Sequence, residues 1–335
     1  MLIPPTYSLT PKISQLLSSI EASKAVIDAI PIPIEIETNI RRRSSLKSSL
    51  FSARIEGNTL TLDDLPRASS KDQKRIEVFN ILKALNSIQQ KSAKDLSVNG
   101  ILTLHQMVMQ GLIDRQELGH LRSDVSAIFN SAGIAIYLPP PPSQVLPLMN
   151  KLLQFLNSSK EPSTPIRACL VHFIFEKIHP FLDGNGRVGR LIMQSALAKG
   201  GYGMKGLLAL EEQLDQNRSG YYQALEAVER DVTQYLEFML EAMAKAAQEA
   251  KNQVLQKEQI EPEDYLLPRR SEILNIIKDL KLVSFDQIRR RFLMVNERTL
   301  RYDLKRLQDA GFIKKRGATK GVYYEPTKNS TTSPS

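Results

Sequence analysis

The stretch His179–Arg190 reads HPFLDGNGRVGR, and it contains the glycine spacing G-x-G-x-x-G at Gly184, Gly186 and Gly189. In a dinucleotide-binding fold this spacing follows a strand and opens a helix within a βαβ unit. Here the preceding residues, IRACLVHFIFEKI, are apolar almost all round and predict a buried helix. The rest of the sequence predicts no alternating series of strands and helices. The glycines therefore do not indicate a dinucleotide fold, and the predicted fold class is mainly α.

The sequence up to about residue 245 predicts a bundle of helices with a single hairpin. Segments such as IEVFNILKALNSIQ, ILTLHQMVMQGL and VLPLMNKLLQFLNS place apolar residues three and four apart, which is typical of helices with one buried face. Only DVSAIFN and IAIYL, on either side of SAG, read as strands, and they predict a short β-hairpin. Pro139–Pro142 end the second strand because proline has no amide hydrogen to donate.

The basic charge of the chain is concentrated at its C-terminal end. The net charge is +9, and residues 266–335 contain 16 Lys and Arg against 7 Asp and Glu, so the rest of the chain is neutral. A length of 335 residues also predicts more than one domain. The charge asymmetry indicates a nucleic acid or another anionic partner for the C-terminal segment.

Composition excludes several classes of protein. The single cysteine, Cys169, excludes an internal disulfide framework and favours a reducing cytoplasm. It lies in the apolar run ACLVHFIF, which predicts a core residue rather than a nucleophile. His105, His120 and His172 are expected to pack in the core, and no structural zinc site is expected. No run is long and apolar enough to cross a membrane, and MLIPPTYSLTPKIS does not read as a signal peptide.

The opening stretch has the residue types of a nucleotidyl-transfer site. A glycine loop that opens a helix presents free backbone amides, which bind anions. Arg187 and Arg190, three residues apart on that helix, share a face and can bind phosphate oxygens together. Asp183 offers the carboxylate oxygen that Mg²⁺ prefers, and His179 is suited to accept a hydroxyl proton near neutral pH.

HPFLDGNGRVGR resembles the Fic-family motif, H-P-F-x-[DE]-G-N-G-R-x-x-R, at every fixed position. LHQMVMQGL, GHLR, YLPPPP, FEKIHPF and NRSGYYQAL also look like Fic-domain segments. The resemblance covers roughly residues 59–243, and it implies a Fic-type helical bundle with a β-hairpin flap. It also implies AMPylation, the transfer of AMP from ATP to a Ser, Thr or Tyr hydroxyl of a protein.

The resemblance assigns roles to the matching residues. His179 would be the general base, Asp183 would bind Mg²⁺, and the flap, at about 123–138, would dock the target protein by main-chain strand pairing. The residues that would bind the nucleotide are Gly184, Asn185, Gly186, Arg187, Arg190, Tyr221 and Tyr222. For one of the two tyrosines an ordinary core role is an equal alternative. Whether the transferred group is AMP, another nucleotide or phosphocholine stays open.

An upstream segment, SARIEGN at 52–58, resembles the inhibitory motif of the family, [ST]-x-x-x-E-[GN]. Ser52 and Glu56 are four apart and share a helix face. The resemblance implies that Glu56 pairs with Arg190 in the place of the γ-phosphate and so restrains the enzyme. The alternative is that Glu56 positions water for removal of AMP, which would make the protein a de-AMPylase or a bifunctional enzyme.

The C-terminal 60 residues resemble a winged helix-turn-helix, with three helix patterns followed by IKKRGATKGVYYEP as the wing. Binding of DNA is favoured by the charge, and docking to a protein is the alternative. A further alternative for the whole chain is a DNA-binding regulator that uses its Fic core as a nucleotide sensor. The expected DNA-binding residues are Arg298, Arg301, Lys305, Arg306, Lys315 and Arg316, with Lys314 and Lys320 also on the wing.

These patterns predict five segments along the chain. A helical extension with the inhibitory motif spans 1–95, the Fic core 96–245, a helical linker 246–265, the winged helix 266–326 and a disordered tail 327–335. The oligomeric state, including a homodimer, stays open.

Overall fold

The computed structural model describes residues 1–65, 67–90, 96–129, 135–158, 160–255, 266–292, 295–317 and 322–327. The chain is mainly helical in these ranges, which confirms the predicted fold class. None of the described helices has the length and apolar character needed to cross a membrane. The helices are α1 Pro11–Ala29, α2 Ile34–Ile55, α3 Gln73–Gln90, α4 Val98–Met109, α5 Pro142–Leu156, α6 Thr164–Ile178, α7 Asn185–Lys199, α8 Leu210–Gln216, α9 Arg218–Leu225, α10 Thr233–Leu255, α11 Pro268–Leu280, α12 Phe285–Arg291 and α13 Glu297–Asp309, and a 3₁₀ turn covers Met204–Gly206. The strands are β1 Ile128–Phe129, β2 Ala135–Tyr137, β3 Val283–Ser284, β4 Ile313–Arg316 and β5 Tyr323–Pro326.

The chain divides into two compact units, 1–31 with 40–256 and 32–39 with 257–335. The predicted N-terminal extension and core thus lie largely within one unit, where α1 packs along α10. Helix α10 extends into the residues that the sequence assigns to the helical linker, 246–265. The part of α10 that falls within the predicted linker has a buried face made of Ala246, Ala247, Ala250 and Val254. Three of these are alanines, whose small apolar surface gives a weak periodic signal in the sequence. Residues 256–265 of the predicted linker lie outside the described ranges.

Helix α6 runs through the middle of the first unit, and every residue of it except Arg167 and Glu176 is buried. Helix α7 packs against it at Gly189, where a Cβ atom would lie 2.2 Å from Glu176 Oε1 and 3.0 Å from Phe175 Cδ1. This close approach requires glycine, and it fixes α7 against the helix that ends at His179.

The predicted hairpin is present but shorter than the pattern suggested. Its strands are β1 and β2, which pair antiparallel with a register shift after Ile128, and residues 130–134 lie outside the described part of the chain. The chain then passes through extended Pro141 into α5, whose first residue is Pro142. Proline fits the first turn of a helix because the amide it lacks would have no helical partner there.

The second unit contains α11, β3, α12, α13, β4 and β5 in chain order, with a three-stranded antiparallel sheet in the order β3-β5-β4. Strand β3 was missed in the sequence because it is only two residues long. The buried carboxylate of Asp303 accepts hydrogen bonds from Arg269 and Arg270 and joins α13 to α11. Thr327, which was assigned to the disordered tail, donates to the carbonyl oxygen of Gly311 at 2.6 Å; residues 328–335 lie outside the described part.

We expect Gly189→Ala to lower the free energy of unfolding by about 1–3 kcal/mol, because the new methyl group must displace Glu176 or Phe175. The matched control is Gly100→Ala in α4, where a Cβ would meet nothing closer than 3.5 Å. That change should be neutral or stabilise by up to about 1 kcal/mol. Equal effects of the two substitutions in urea denaturation would contradict the close contact between α6 and α7.

Candidate active site

His179 ends α6 in the left-handed conformation, with φ 49° and ψ 62°, and its amide donates to the carbonyl oxygen of Phe175 at 2.9 Å. Its Nδ1 is buried and has no hydrogen-bond partner among the described residues. Burial lowers the pKa of His179 to about 4, against the opposing effect of the Glu176 carbonyl and of the Glu56 and Asp183 carboxylates. The imidazole is therefore neutral at pH 7 and able to accept a proton.

The loop after His179 delivers the N-terminus of α7. Gly184 has φ +84°, and a Cβ on it would lie 2.7 Å from Met109 Sδ, so both conformation and space require glycine. The first helical bond runs from Val188 N–H to Gly184 O at 3.0 Å. The amides of residues 185–187 therefore precede the helical ladder and can bind an anion.

The side chain of Asn185 bonds within this loop. Its side-chain oxygen accepts from the amide of Phe181 at 2.9 Å, and its side-chain nitrogen donates to the carbonyl oxygen of Phe181 at 2.8 Å. The side chain thus closes the loop on itself, and only the backbone amide of Asn185 is directed to an anion site.

Arg187 and Asp183 are bound to each other. Arg187 Nη2 donates to Asp183 Oδ1 at 2.7 Å, and Nη1 donates to Glu77 Oε1 at 2.6 Å. The amide of Gly184 also donates to Asp183 Oδ1. The Asp183 side chain is 58% exposed, so the carboxylate is fixed on one side and open to solvent on the other.

Arg190 is almost fully buried and meets both residues of the upstream motif. Its Nη2 donates to Glu56 Oε1 at 2.8 Å and to the carbonyl oxygen of Ser52 at 2.8 Å, and its Nε donates to Ser52 Oγ at 2.9 Å. Burial opposes the charge of the guanidinium, but Glu56 raises the pKa of Arg190 above its usual value. A Cβ on Gly186 would lie 2.4 Å from Glu56 Oε1. The carboxylate thus lies against the N-terminus of α7, where a helix attracts anions.

The two expected nucleotide-binding tyrosines lie in different environments. Tyr221 is buried. The Tyr235 hydroxyl donates to the Cys169 carbonyl oxygen and therefore accepts from His172 Nδ1–H. His172 Nε2 is then an acceptor, and the Tyr221 hydroxyl donates to it. Burial lowers the pKa of His172 to about 3, which keeps that ring neutral. Tyr221 is therefore a core residue. Tyr222 is 43% exposed and donates to the carbonyl oxygen of Ile55, next to Glu56.

Sequence reasoning missed three residues around the loop. His105 stacks on Phe181 with ring centroids 3.9 Å apart, accepts from the amide of Gly119 and donates Nε2–H to the carbonyl oxygen of Asp183. Arg122 Nε donates to the carbonyl oxygen of His179 at 2.8 Å. Burial raises the pKa of Glu176 to about 8, and its Oε1 has no hydrogen-bond partner in the part of the chain that the structure describes. All three lie in segments already noted as Fic-like, His105 in LHQMVMQGL, Arg122 in GHLR and Glu176 in FEKIHPF, but the sequence assigns no role to any of them.

Comparison with known proteins agrees with this geometry. Residues 95–197 match the model of the Fic/DOC family. The chain is 32% identical over 249 residues to a protein named protein adenylyltransferase Fic from Drosophila willistoni. A crystal structure of a Fic family protein from Desulfovibrio desulfuricans G20 superimposes with a TM-score of 0.65 at 25% identity, and the match covers 97% of this chain and 98% of that one.

The chain belongs to the Fic/DOC family. Fic-1 (residues 134–508) from C. elegans shares the fold, with a TM-score of 0.59, 21% identity and 73% of each chain covered. The match to the Drosophila willistoni protein covers 68% of this chain but 46% of the relative, so this chain spans about half the length of that curated Fic protein.

Outside the Fic domain, the basic residues of the second unit fall into two groups. Arg298, Lys305, Arg306, Lys314 and Lys315 are exposed on α13 and β4. Arg301 is also exposed, at 60% of its side chain, but it has partners within the unit, because its guanidinium lies 3.8 Å from the ring centroid of Phe285 and it pairs with Glu297. Arg316 Nε bonds to Glu325 at 2.8 Å across β4 and β5. Lys320 lies outside the described residues.

We expect His179 to titrate with a midpoint of about 4 in a histidine-selective NMR experiment, well below the ~6.5 of a free imidazole. His179→Ala identifies the signal among the four histidines. Because the folded pKa lies below the unfolded one, the stability contributed by neutral His179 is complete above about pH 6.5 and is lost as the pH falls toward 4. A midpoint near 6.5 would contradict the burial of the neutral base.

Proposed function

We propose that this chain is a protein adenylyltransferase, which transfers AMP from ATP to a hydroxyl of a target protein. One observation carries the proposal. Among the described residues, five buried side-chain atoms lack a hydrogen-bond partner, and three of them are His179 Nδ1, Arg187 Nε and Arg190 Nη1. Buried polar groups are normally paired, so unsatisfied groups concentrated on one loop and helix indicate a ligand site. The name of the Drosophila willistoni relative supports the same activity.

The geometry supports a direct displacement at the α-phosphorus. The target hydroxyl oxygen forms a bond to the α-phosphorus, the bond from that phosphorus to the bridging oxygen of the β-phosphate breaks, and pyrophosphate leaves. Neutral His179 accepts the hydroxyl proton. The amides of 185–187 bind phosphate oxygens, and Arg187 and Arg190 bind the outer phosphates. The target docks on the flap near 123–138.

Asp183 suits a Mg²⁺ ion that is held chiefly by phosphate. It supplies a single exposed carboxylate whose Oδ1 is fixed by Arg187 and the Gly184 amide. The described residues contain no group of three or more metal-ligating side chains, and Mg²⁺ bound to nucleotides takes most of its ligands from phosphate and water. When bound there, the ion neutralises phosphate charge. We also propose that the reaction takes place in the cytoplasm, since the only cysteine, Cys169, is buried and free.

Glu56 restrains this reaction by competing with a phosphate for Arg190. Its carboxylate bonds to the Arg190 guanidinium and fills the space over Gly186, and a terminal phosphate needs both. An anion at the start of α7 is favoured by the helix dipole whichever group supplies it. ATP must therefore either displace Glu56 or bind in a pose that leaves the α-phosphorus out of line with the hydroxyl.

We expect Glu56→Gly to raise automodification with α-labelled ATP by roughly 5- to 150-fold, the range of a 1–3 kcal/mol coupling. Glu56→Gln should give a smaller rise, because it keeps the shape of the side chain but removes its charge. Adding His179→Ala to Glu56→Gly should abolish the signal, and mass spectrometry gives the mass of the transferred group. Equal rates in wild type and Glu56→Gly would contradict the brake.

A second activity, removal of AMP from a modified protein, is favoured by the electrostatic effect of Glu56 on the base, His179. The Glu56 carboxylate raises the pKa of His179, so it acts within the site. In this reaction Glu56 would position water. If wild type removes AMP from a target modified by Glu56→Gly, and Glu56→Gly does not, the enzyme is bifunctional.

We propose that the second unit is a winged helix that binds DNA through α13 and β4. Support comes from the exposed side chains of Arg298, Lys305, Arg306 and Lys315, while Arg301 and Arg316 have partners within the unit. Exposed cations on a helix and an adjacent β-ribbon are typical of contacts to the phosphate backbone.

We expect the full chain to shift duplex DNA in a gel at low salt, with affinity that falls as salt rises. The triple variant Lys305→Glu/Arg306→Glu/Lys315→Glu should lose at least about tenfold in affinity. The control with the same change of charge is Lys83→Glu/Lys151→Glu/Lys160→Glu in the first unit, which should bind nearly as wild type. Absence of a shift even at low salt would favour docking to a protein instead.

A further inference from the structure

Arg122 is a buried guanidinium whose hydrogen bonds all go to main-chain oxygens. Its Nε donates to His179 O at 2.8 Å, Nη1 donates to Asp124 O at 2.9 Å, and Nη2 donates to Pro140 O and, at 3.5 Å, to Ile178 O. Only 3% of the residue is exposed, and burial lowers the pKa of its guanidinium. No described carboxylate lies within salt-bridge distance of it. A charge buried at this cost, with every hydrogen bond made to backbone, indicates that the side chain holds backbone segments in position.

Three of the five oxygens that Arg122 binds lie at the end of α6 or directly after it. A helix leaves its last carbonyl groups without helical partners, and a positive charge near them is favourable. Here four successive carbonyls receive donors from the segment that contains the hairpin. Lys177 O accepts from the Tyr137 hydroxyl at 3.0 Å, Ile178 O and His179 O accept from the Arg122 guanidinium, and Pro180 O accepts from the Arg122 amide at 2.9 Å.

The other two oxygens mark the two bases of the flap. Asp124 lies four residues before β1, and Pro140 lies three residues after β2. One planar guanidinium thus joins both ends of the flap to the backbone of His179. Because the fork of an arginine is rigid, the relative positions of these three points are fixed together, which the single ammonium of a lysine does less well.

We propose that Arg122 is a positioning residue that sets the distance between a target hydroxyl docked on the flap and the imidazole of His179. This inference rests on the proposed transfer reaction. The nucleotide is bound by the amides of 185–187 and by Arg187 and Arg190, and the hydrogen bonds of Arg122 go to none of these groups. Loss of Arg122 should therefore misplace the hydroxyl and the base relative to each other and leave the nucleotide bound.

The test uses the full chain carrying Glu56→Gly, so that transfer is not restrained. In that parent we expect Arg122→Met to lower kcat for AMP transfer by about 100-fold, the effect of a misplacement near 1 Å. The Kd for ATP should stay within about threefold of the parent, because the groups that bind the nucleotide are unchanged. Arg122→Lys should recover part of the rate, and Tyr137→Phe, which removes one hydrogen bond, should cost about 2- to 10-fold in kcat.

The matched control is Arg167→Met at the other end of α6. Arg167 also donates to carbonyl oxygens, those of Ser158 and Glu161 at 3.3 Å each, but it does not contact the flap or His179. Its loss should leave kcat within about threefold of the parent. An equal fall in kcat for Arg167→Met and Arg122→Met would mean that both act only through stability, and would overturn the proposal.

A readout without catalysis separates this inference from the proposed function. In Arg122→Met, the NMR titration midpoint of His179 should move upward from about 4, toward the ~6.5 of an exposed imidazole. It should not move in Arg167→Met. The positive charge of Arg122 also lowers the pKa of His179, so Arg122→Lys, which keeps a charge but not the planar fork, separates loss of charge from movement of the ring. If the Glu56→Gly parent transfers nothing, the proposed function fails, and an upward shift in Arg122→Lys as well as in Arg122→Met then decides that Arg122 fixes His179. An unmoved midpoint, an unchanged kcat or a parallel loss of ATP affinity in Arg122→Met overturns the proposal; if that variant does not fold, an unchanged kcat in Tyr137→Phe does so.

Discussion

The buried charge of Arg190 determines how this site is organised. Its guanidinium is 1% exposed, and a charge removed from water to that extent requires an anion and hydrogen-bond acceptors nearby. Glu56 and Ser52, more than a hundred residues upstream, provide both. The same requirement is met by a terminal phosphate of a nucleotide. Restraint and substrate binding therefore satisfy the same buried charge, and restraint requires that α2, which carries Ser52 and ends just before Glu56, bring both residues to Arg190.

The base and the phosphate site are joined by one short loop between two helix ends. Helix α6 stops at left-handed His179, and α7 begins after left-handed Gly184. The C-terminal carbonyls of α6 are satisfied by Arg122 and Tyr137, whereas the N-terminal amides of α7 face an anion. The Asn185 side chain, bonded to both the amide and the carbonyl oxygen of Phe181, holds the loop in its conformation. The end of α6 thus supplies the proton acceptor, and the start of α7, a few residues later, supplies the anion site.

The extent to which the sequence predicted this site depends on where each interaction partner lies. The motif 179–190 is local, so its glycines, base and cations were readable from spacing alone. The Glu56–Arg190 pair was expected only through the family resemblance, because no spacing rule joins residues so distant. Arg122 could not be assigned a role, since its partners are carbonyl oxygens, which every residue possesses. Asn185 stays a predicted nucleotide-binding residue through its backbone amide, but the sequence does not reveal that its side chain turns back to Phe181. The burial of α10 was missed because alanines gave little periodic contrast.

Glu176 explains how Arg190 keeps an exchangeable partner. Its carboxyl lies beneath α7 at Gly189, and burial raises its pKa to about 8, so at pH 7 it is largely protonated. An ionised Glu176 would add a second negative charge near Arg190 and would weaken the attraction of the guanidinium for an exchangeable anion. Because Glu176 is neutral, the full charge of Arg190 acts on the side where Glu56 lies and where a phosphate would bind. The competition between carboxylate and phosphate thus depends on a third acidic group that burial keeps uncharged.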